Sequence, residues 1–576
     1  MSARSFYEEK RPRFAEWLAE PMRRNKAVFI RVALAATMVN LFAYAIALFT
    51  LLVYDRVLPN LAFDTLTALS IGIGIILIFD FILRILRAYF VDIAGADIDR
   101  DIGASFFDKI MAVRLAARRG STGQLAGLIR ELETLRDFFA SATLISLVDV
   151  PFIVLTLILI AMLGKWAVLV PLVLIPLTSV AGIVSQPALD RLSTRTMEGG
   201  LNKQSVLVEA IGALEMVRAA GAQKLLRKRW LKAVDDQSSA SVRQRLVSNV
   251  AVTVASSAST LSYTGIVIIG IFLIANGEIT PGGLIAASIL SSRAVQPLGQ
   301  IASMMTRVTA VRTAYRQLDR LMQDASEGPG EEALKPGVLK GKIELRGVAF
   351  RYPGASERAL ENFSMTIEPG QKVGIIGPVG SGKSTITRLI LGLYEPEDGL
   401  VLIDGIDVRQ LDPASLRQQI GSALQEPILL SGTVRENIRL DRPHVDDEEM
   451  LRASQVAGSH EFMGRIANGY DLSLADRGEG LSGGQRQAIC IARALAGKPP
   501  VLIFDEPTSA MDAATEQQLI YRLEVETAGR TVVIVSHRIN LLKLVDRLVV
   551  ISGGRVTQDG PRDEVLKALS RPREAA

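Results

Sequence analysis

At 576 residues the chain is longer than one hydrophobic core organises, so two or more domains are expected. Apolar residues make up 49% of it and crowd the part before residue 310, which excludes a wholly soluble globular protein. The net charge of +5 comes from basic residues that flank apolar runs without forming a continuous stripe, a distribution that points to a membrane surface and away from nucleic acid.

The first 26 residues are polar, which does not fit a cleaved secretory signal. Six apolar segments follow, at 27–53, 62–83, 142–163, 166–185, 248–275 and 281–303. Most reach the ~20 residues that a helix needs to cross a bilayer. The sixth, "PGGLIAASILSSRAVQPLGQIA", has the weakest pattern. Residues 1–26, 84–136 and 186–245 hold seven, nine and eleven Lys/Arg, whereas the alternate loops hold only Arg56 and Lys165. The positive-inside rule therefore puts both termini and the long connections in the cytoplasm.

Between the first two segments lies "LLVYDRVLPNLA", whose Tyr54–Asn60 tip falls on the outer face. Pro59 and Asn60 are turn residues, and Asp55 and Arg56 suit a bilayer interface. The two long connections, of 53 and 60 residues, carry helical amphipathic patterns. Helical arms of about 26 residues each would reach ~40 Å into the cytoplasm. Their turns are expected near Gly120 and Gly123, and near Gly221. Arg31, Asp80, Arg84, Arg87, Asp149 and Arg293 lie in or near the spans, where charge must pair or line a wet cavity. Asp80 and Arg84 are spaced to pair on one helix face, and of the others Asp149 and Arg293 are the better candidates for a translocation path.

The expected layout is a cytoplasmic segment at 1–26, an all-α transmembrane domain with six spans and two arm pairs at 27–322, a Gly/Pro/Glu-rich linker at 323–340, and an α/β domain at 341–576. Short β runs such as "KIELRGVAF", "KVGIIG" and "VLIFD" alternate with helical stretches there, which predicts a largely parallel sheet.

Three motifs in that domain carry chemistry. "GPVGSGKST", residues Gly377, Pro378, Val379, Gly380, Ser381, Gly382, Lys383, Ser384 and Thr385, directly follows the strand "KVGII" and has P-loop spacing. Its backbone amides suit a β-phosphate, Lys383 suits β/γ charge and the Ser384 hydroxyl suits Mg2+. "VLIFDEPTSAMD" delivers Asp505 and Glu506 at the end of an apolar strand, where Asp505 can bind Mg2+ through water and Glu506 can polarise an attacking water. "LSGGQRQAICIARAL" offers Ser482 as a helix cap, with Gly483 and Gly484 open to a phosphate at the helix end. Two anion-binding helix ends in one domain are explained if each serves a different ATP, one of them held by another copy.

LSGGQ beside a P-loop and a DE-terminated strand resembles the ABC transporter superfamily, over essentially the whole chain. The resemblance implies that Tyr352 stacks on adenine and that Gln425 contacts Mg2+ and water. It further implies that Ser482, Gly483, Gly484 and Gln485 contact ATP, that Asp512 sits in a cross-dimer loop, and that His537 contacts the γ-phosphate. The catalytic group would be Glu506, His537, Lys383 and Gln425, and the metal group Ser384, Gln425 and Asp505, with ATP and Mg2+ as cofactors. Singly, Tyr352 also suits a packing aromatic, Gln425 a turn and His537 a capped core site. His444 and His460 match no motif and are expected at the surface.

Six spans before one nucleotide domain resemble an exporter half-transporter that works as a homodimer with two ATP sites. "VYDRVLPN" and "LAFDTLTAL" resemble the ATPases of bacterial type I secretion systems, in the protease- and RTX-protein-exporting branch. The chain has no cysteine before its first span, so no leader-cleaving peptidase is expected there, and the implied cargo is an unfolded protein with an uncleaved C-terminal signal. The resemblance also implies an inner-membrane location, a periplasmic adaptor, an outer-membrane channel and contact with membrane lipids. The alternative is a lipid, peptide or hydrophobic-drug exporter, which would share every ATP motif.

Overall fold

A computed structural model describes residues 15–117, 121–139 and 143–570. Gly120, residue 142 and the outermost parts of both expected terminal regions lie outside the described residues. The chain divides into two compact units, residues 1–111 with 119–324 and residues 112–118 with 325–576.

The first unit is helical: α1 (Glu16–Arg24), α2 (Lys26–Leu52), a π-helical turn at Val53–Val57, α3 (Leu58–Asn60), α4 (Phe63–Ala112), α5 (Thr122–Phe139), α6 (Thr143–Gly164), α7 (Leu169–Gly212), α8 (Leu214–Ala219), α9 (Gln223–Ala275) and α10 (Pro281–Gln323). The six apolar segments fall on α2, α4, α6, α7, α9 and α10. Among the described residues, four helical stretches have the length and hydropathy of a span, one of them running from Val148 to Gly212 through two segments. α10 is outside that set because small residues and Arg293 dilute it, yet its Ala286, Ala287, Leu290 and Ala294 are fully buried. Small residues let neighbouring helices approach closely, which is how spans pack in lipid.

Polar side chains then join helices far apart in sequence. Asn40 Nδ2 donates to Asp149 Oδ1 at 2.6 Å, the Tyr44 hydroxyl lies 2.9 Å from Thr156 Oγ1, and Ser262 meets Ser291 at 2.7 Å. Asp80 and Arg84 pair at 2.6 Å, as their spacing predicts. The Tyr54–Asn60 tip is more than a turn. Asp55 accepts from Thr280 Oγ1 at 2.5 Å and from the Gly282 N–H at 2.8 Å, so it caps α10 from another span. A Cβ at Gly282 would come within 2.6 Å of Asp55 Oδ1 and 2.7 Å of the Leu51 carbonyl, so only glycine fits.

Gly123 belongs to a helix contact instead of the expected turn. It lies in the first turn of α5, where a Cβ would fall 2.5 Å from Ser205 Cα of α7, and Ser121 bonds Ser205 beside it at 2.7 Å. Gly221, with φ +64°, lies between α8 and α9 in the left-handed conformation that favours glycine.

In the second unit the strands are β1 (Ile343–Phe350), β2 (Leu360–Ile367), β3 (Lys372–Ile376), β4 (Asp398–Ile403), β5 (Ile406–Asp407), β6 (Ile420–Ala423), β7 (Gly432–Thr433), β8 (Ser473–Leu474), β9 (Val501–Asp505), β10 (Thr531–Val535), β11 (Arg547–Ser552) and β12 (Arg555–Pro561). Its helices are α11 (Lys383–Ile390), α12 (Pro413–Gln418), α13 (Val434–Arg439), α14 (Asp447–Ala457), α15 (Ser459–Met463), α16 (Gly483–Leu495), α17 (Ala513–Glu526) and α18 (Arg562–Ser570).

The main sheet has the order β12-β11-β3-β10-β9-β6, with β11, β3, β10, β9 and β6 parallel and β12 antiparallel at one edge. "VLIFD" and "TVVIV" are buried at every position, as central strands covered on both faces must be. "KIELRGVAF" belongs elsewhere: β1 joins a separate antiparallel sheet of order β2-β1-β4-β5, a division that alternating element order does not reveal. His460 is likewise not a free surface residue, since it is half-buried, stacks on Tyr470 and has Nδ1 3.0 Å from the Tyr470 hydroxyl.

Residues 112–117 pack within this second unit. The Glu327 N–H donates to the Ala112 carbonyl at 2.7 Å, the Arg114 N–H donates to Ala325 at 3.1 Å, and the Arg114 guanidinium pairs with Glu395 at 2.8 Å. Arg417 holds Glu327 in turn at 2.8 Å, which fastens this stretch to the base of α12.

Candidate nucleotide site

The parallel sheet decides where the chemistry gathers. β3, β10 and β9 are neighbours, and their carboxyl ends lead into the P-loop, into Ser536 and His537, and into Asp505 and Glu506. Gln425 follows β6, the neighbour of β9, and is exposed at the same edge. Ligands of open α/β sheets bind at this edge.

In the P-loop a Cβ at Gly377 would fall 2.1 Å from the Ile551 carbonyl, and one at Gly382 would fall 2.5 Å from Ala359. Gly382 also has φ +99° as the N-cap of α11, so the loop follows a path that other residues do not take easily. Lys383 Nζ donates to the Gly377 and Pro378 carbonyls at 2.8 Å each, held within the loop. Val379 is fully exposed at the loop apex.

Asp505 is 3% exposed, and burial pushes its carboxyl above the ordinary carboxylate range, against the opposing pull of the Ser384 hydroxyl. Its Oδ1 is buried with no hydrogen-bond partner among the described residues, and Ser381 Oγ is in the same state. Orphaned buried oxygens are costly. A hydrated divalent cation between Asp505 and Ser384, with phosphate oxygens over the loop, would give both a partner, so these residues fit Mg2+ and a nucleotide phosphate.

Glu506 is held with φ +49°, an uncommon conformation for a non-glycine residue. Its N–H donates to the Val535 carbonyl at 2.8 Å, and its Oε1 lies 2.7 Å from His537 Nδ1. The carboxylate is mostly buried while the His537 side chain is 73% exposed, so the pair has one screened and one open end. This arrangement can hold a water and move its proton.

Tyr352 packs edge-on against Phe350 and Tyr394, with ring centroids 4.9 and 5.3 Å away. Its hydroxyl lies 3.1 Å from Thr385 Oγ1 and accepts from Arg388 at 2.8 Å, which ties the ring to α11 directly behind the P-loop. Arg388 was not singled out by motif reading, although its position one helical turn beyond Ser384 was a usable signal.

Ser482, Gly483, Gly484 and Gln485 form the start of α16. Ser482 accepts from the Gln485 N–H at 3.2 Å, and the Gln485 side chain accepts from the Ser482 N–H at 2.8 Å, a complete capping box. Among the described residues, no hydrogen bond or ion pair joins these four to residues 377–385. Asp512 caps α17, accepting from the Thr515 N–H at 2.9 Å and its hydroxyl at 2.7 Å, and the Thr515 contacts hold its carboxyl below the ordinary range. The sheet edge therefore gathers the P-loop, Asp505, Glu506 and His537, with Tyr352 tied to α11 and Gln425 just past β6, while among the described residues no hydrogen bond or ion pair joins the α16 end or Asp512 to the P-loop.

Two family models match the chain: one described as the ABC transporter transmembrane region over residues 29–298, the other as ABC transporter over residues 360–509. A cyclolysin secretion/processing ATP-binding protein of Bordetella pertussis is 33% identical over 96% of this chain and 78% of its own length. A leukotoxin translocation ATP-binding protein of a Pasteurella haemolytica-like species is 31% identical, with the same two coverages. The toxin RTX-I translocation ATP-binding protein of Actinobacillus pleuropneumoniae is also 31% identical, again over 96% and 78%. Among solved structures, a bacterial Atm1-family ABC exporter with ATP bound superposes with TM-score 0.84 at 22% identity, over 96% of this chain and 99% of that one, a likeness of fold.

Proposed function

The chain belongs to the ABC transporter family, as a membrane protein with an ATP-binding domain, and on that premise we propose that it exports an unfolded protein as the ATP-hydrolysing component of a type I secretion system. What carries this reading is the similarity of 96% of the chain to proteins named for toxin secretion and translocation. The ATP site supports the energy source, and the outer tip, with Asp55 fixed to α10, supports a built structure at the outer face.

Bound Mg-ATP supplies the phosphoanhydride bond whose hydrolysis drives the cycle. The P-loop amides and Lys383 would hold phosphate charge, and Ser384, Asp505 and Gln425 would hold Mg2+, which would supply charge neutralisation at the phosphates. Glu506 takes the proton of the attacking water, while His537 orients the Glu506 carboxylate and meets the γ-phosphate. The α16 end and Asp512 serve the ATP of a second copy, so two chains pair head to tail around two sites. Closure of the pair reaches the spans through the tips of the cytoplasmic arms, as the exporter resemblance implies.

In this reading the protein lies in the bacterial inner membrane with both termini in the cytoplasm. It passes its cargo, which keeps its C-terminal signal, to a periplasmic adaptor and an outer-membrane channel. Asp149 and Arg293 face the cargo path.

Full-length protein in lipid nanodiscs tests the assignment. ATP turnover should rise with an unfolded acidic polypeptide bearing a C-terminal secretion signal and should not depend on added lipid or hydrophobic drug. Stimulation by lipid or drug alone would overturn protein export in favour of the lipid- or drug-exporter reading.

A further inference from the structure

Three parts of the second unit converge on the turn Glu506–Met511, and the catalytic assignment uses none of the side chains that hold it. Gln487, on α16, is 4% exposed. Its Nε2 donates to Ser509 Oγ at 2.6 Å and to the Glu506 carbonyl at 3.3 Å, and its Oε1 accepts from the Ala510 N–H at 2.9 Å. Arg538, directly after His537, donates to the Ser509 carbonyl at 3.1 Å and to the Met511 carbonyl at 3.3 Å. Its guanidinium is fixed by Glu516 Oε2 at 3.1 Å, and Glu516, itself 4% exposed, accepts from Thr508 at 3.1 Å.

The contact leaves no slack. A Cβ on Gly483 would come within 3.0 Å of the Ala510 Cβ, and one on Gly484 within 3.0 Å of the Ala510 carbonyl. The signature glycines are therefore seated directly on the turn that begins at Glu506. Buried polar groups satisfied in this way move together, because separating them strands each partner without a hydrogen bond.

We propose that Gln487 and Arg538 are positioning residues that lock the phosphate-facing end of α16 to the Glu506–Met511 turn and so couple the two ATP sites of the dimer. The inference rests on the head-to-tail pairing proposed above. Within one chain, the α16 end grips the partner's ATP and Glu506 works on its own, so a rigid clamp between them links occupancy of one site to water activation at the other. Gln487 supplies the α16 side of the clamp. Arg538 supplies the His537 side, and Glu516 holds it in place.

The test uses the full-length protein in nanodiscs, comparing wild type with Gln487→Ala, Arg538→Ala and Arg538→Lys. ATP-concentration curves give kcat, KM and the Hill coefficient, and thermal unfolding confirms that each variant is folded. For the two alanine variants the clamp predicts a fall of about tenfold in kcat, a KM within about threefold of wild type and a Hill coefficient reduced to one. Arg538→Lys, which keeps a donor and the Glu516 pair, should recover part of both kcat and cooperativity. Unchanged kcat and Hill coefficient in Gln487→Ala would overturn the proposal, and so would kcat falling only in proportion to the folded fraction. A wild-type protein that hydrolyses no ATP, or does so as a monomer with a Hill coefficient of one, would overturn the pairing on which the proposal rests.

Discussion

The nucleotide unit and the helical unit solve the problem of placing polar groups in opposite ways. In the nucleotide unit the chemistry comes from short contiguous runs: residues 377–385 and 505–506 arrive at the ends of parallel strands of one sheet, and 482–487 arrive as one helix start. In the helical unit several polar contacts join single residues on distant segments: Asn40 with Asp149, Ser262 with Ser291, and Asp55 with Thr280 and Gly282. Phosphate binding needs several amides converging within one loop, whereas helix packing in lipid rests on close van der Waals contact supplemented by isolated polar pairs. The difference predicts that single substitutions abolish function in one unit and shift stability by increments in the other.

The sharpest form of that contrast is Glu506→Gln. It should keep ATP binding and the folded state while lowering turnover by on the order of 10²–10⁴, read by phosphate release. Lys383→Ala should also leave the protein folded but weaken both ATP binding and turnover, measured by nucleotide affinity and phosphate release in the same preparation. Wild-type turnover in Glu506→Gln would break the comparison at its strongest point.

In the helical unit, Gly282→Val forces a side chain against Asp55 and the Leu51 carbonyl and should cost about 1–3 kcal/mol, seen in thermal unfolding. Nucleotide affinity should stay at the wild-type value. Asp149→Asn keeps a hydrogen-bonding side chain opposite Asn40, so its stability cost should be only about 0.6 kcal/mol or less. If Asp149 faces the cargo path, secretion falls while basal ATP turnover holds; if secretion and cargo-stimulated turnover both stay at wild type, that role is wrong.

The same contrast explains what the sequence made legible. The P-loop, Asp505, Glu506 and LSGGQ are visible because each is a contiguous pattern in strand–loop–helix context, and the capping box follows from the spacing of Ser482 and Gln485. Gln487 and Arg538 were missed because their partners are backbone groups 19–29 residues away, which no spacing rule reports. Asp55 looked like an interface charge in a turn because its partners lie 225 and 227 residues further along. Gly123 looked like a turn glycine for the same reason, since Ser205, which demands it, is on another helix. The antiparallel sheet of β1, β2, β4 and β5 was hidden because strand pairing, unlike strand formation, depends on contacts between segments.

The most direct test of the whole account is secretion from intact cells that carry this chain together with an adaptor, an outer-membrane channel and an RTX-type cargo. With the wild-type chain cargo should appear in the medium, and with Glu506→Gln at equal membrane abundance none should. Equal amounts of cargo in the medium from both strains would contradict it.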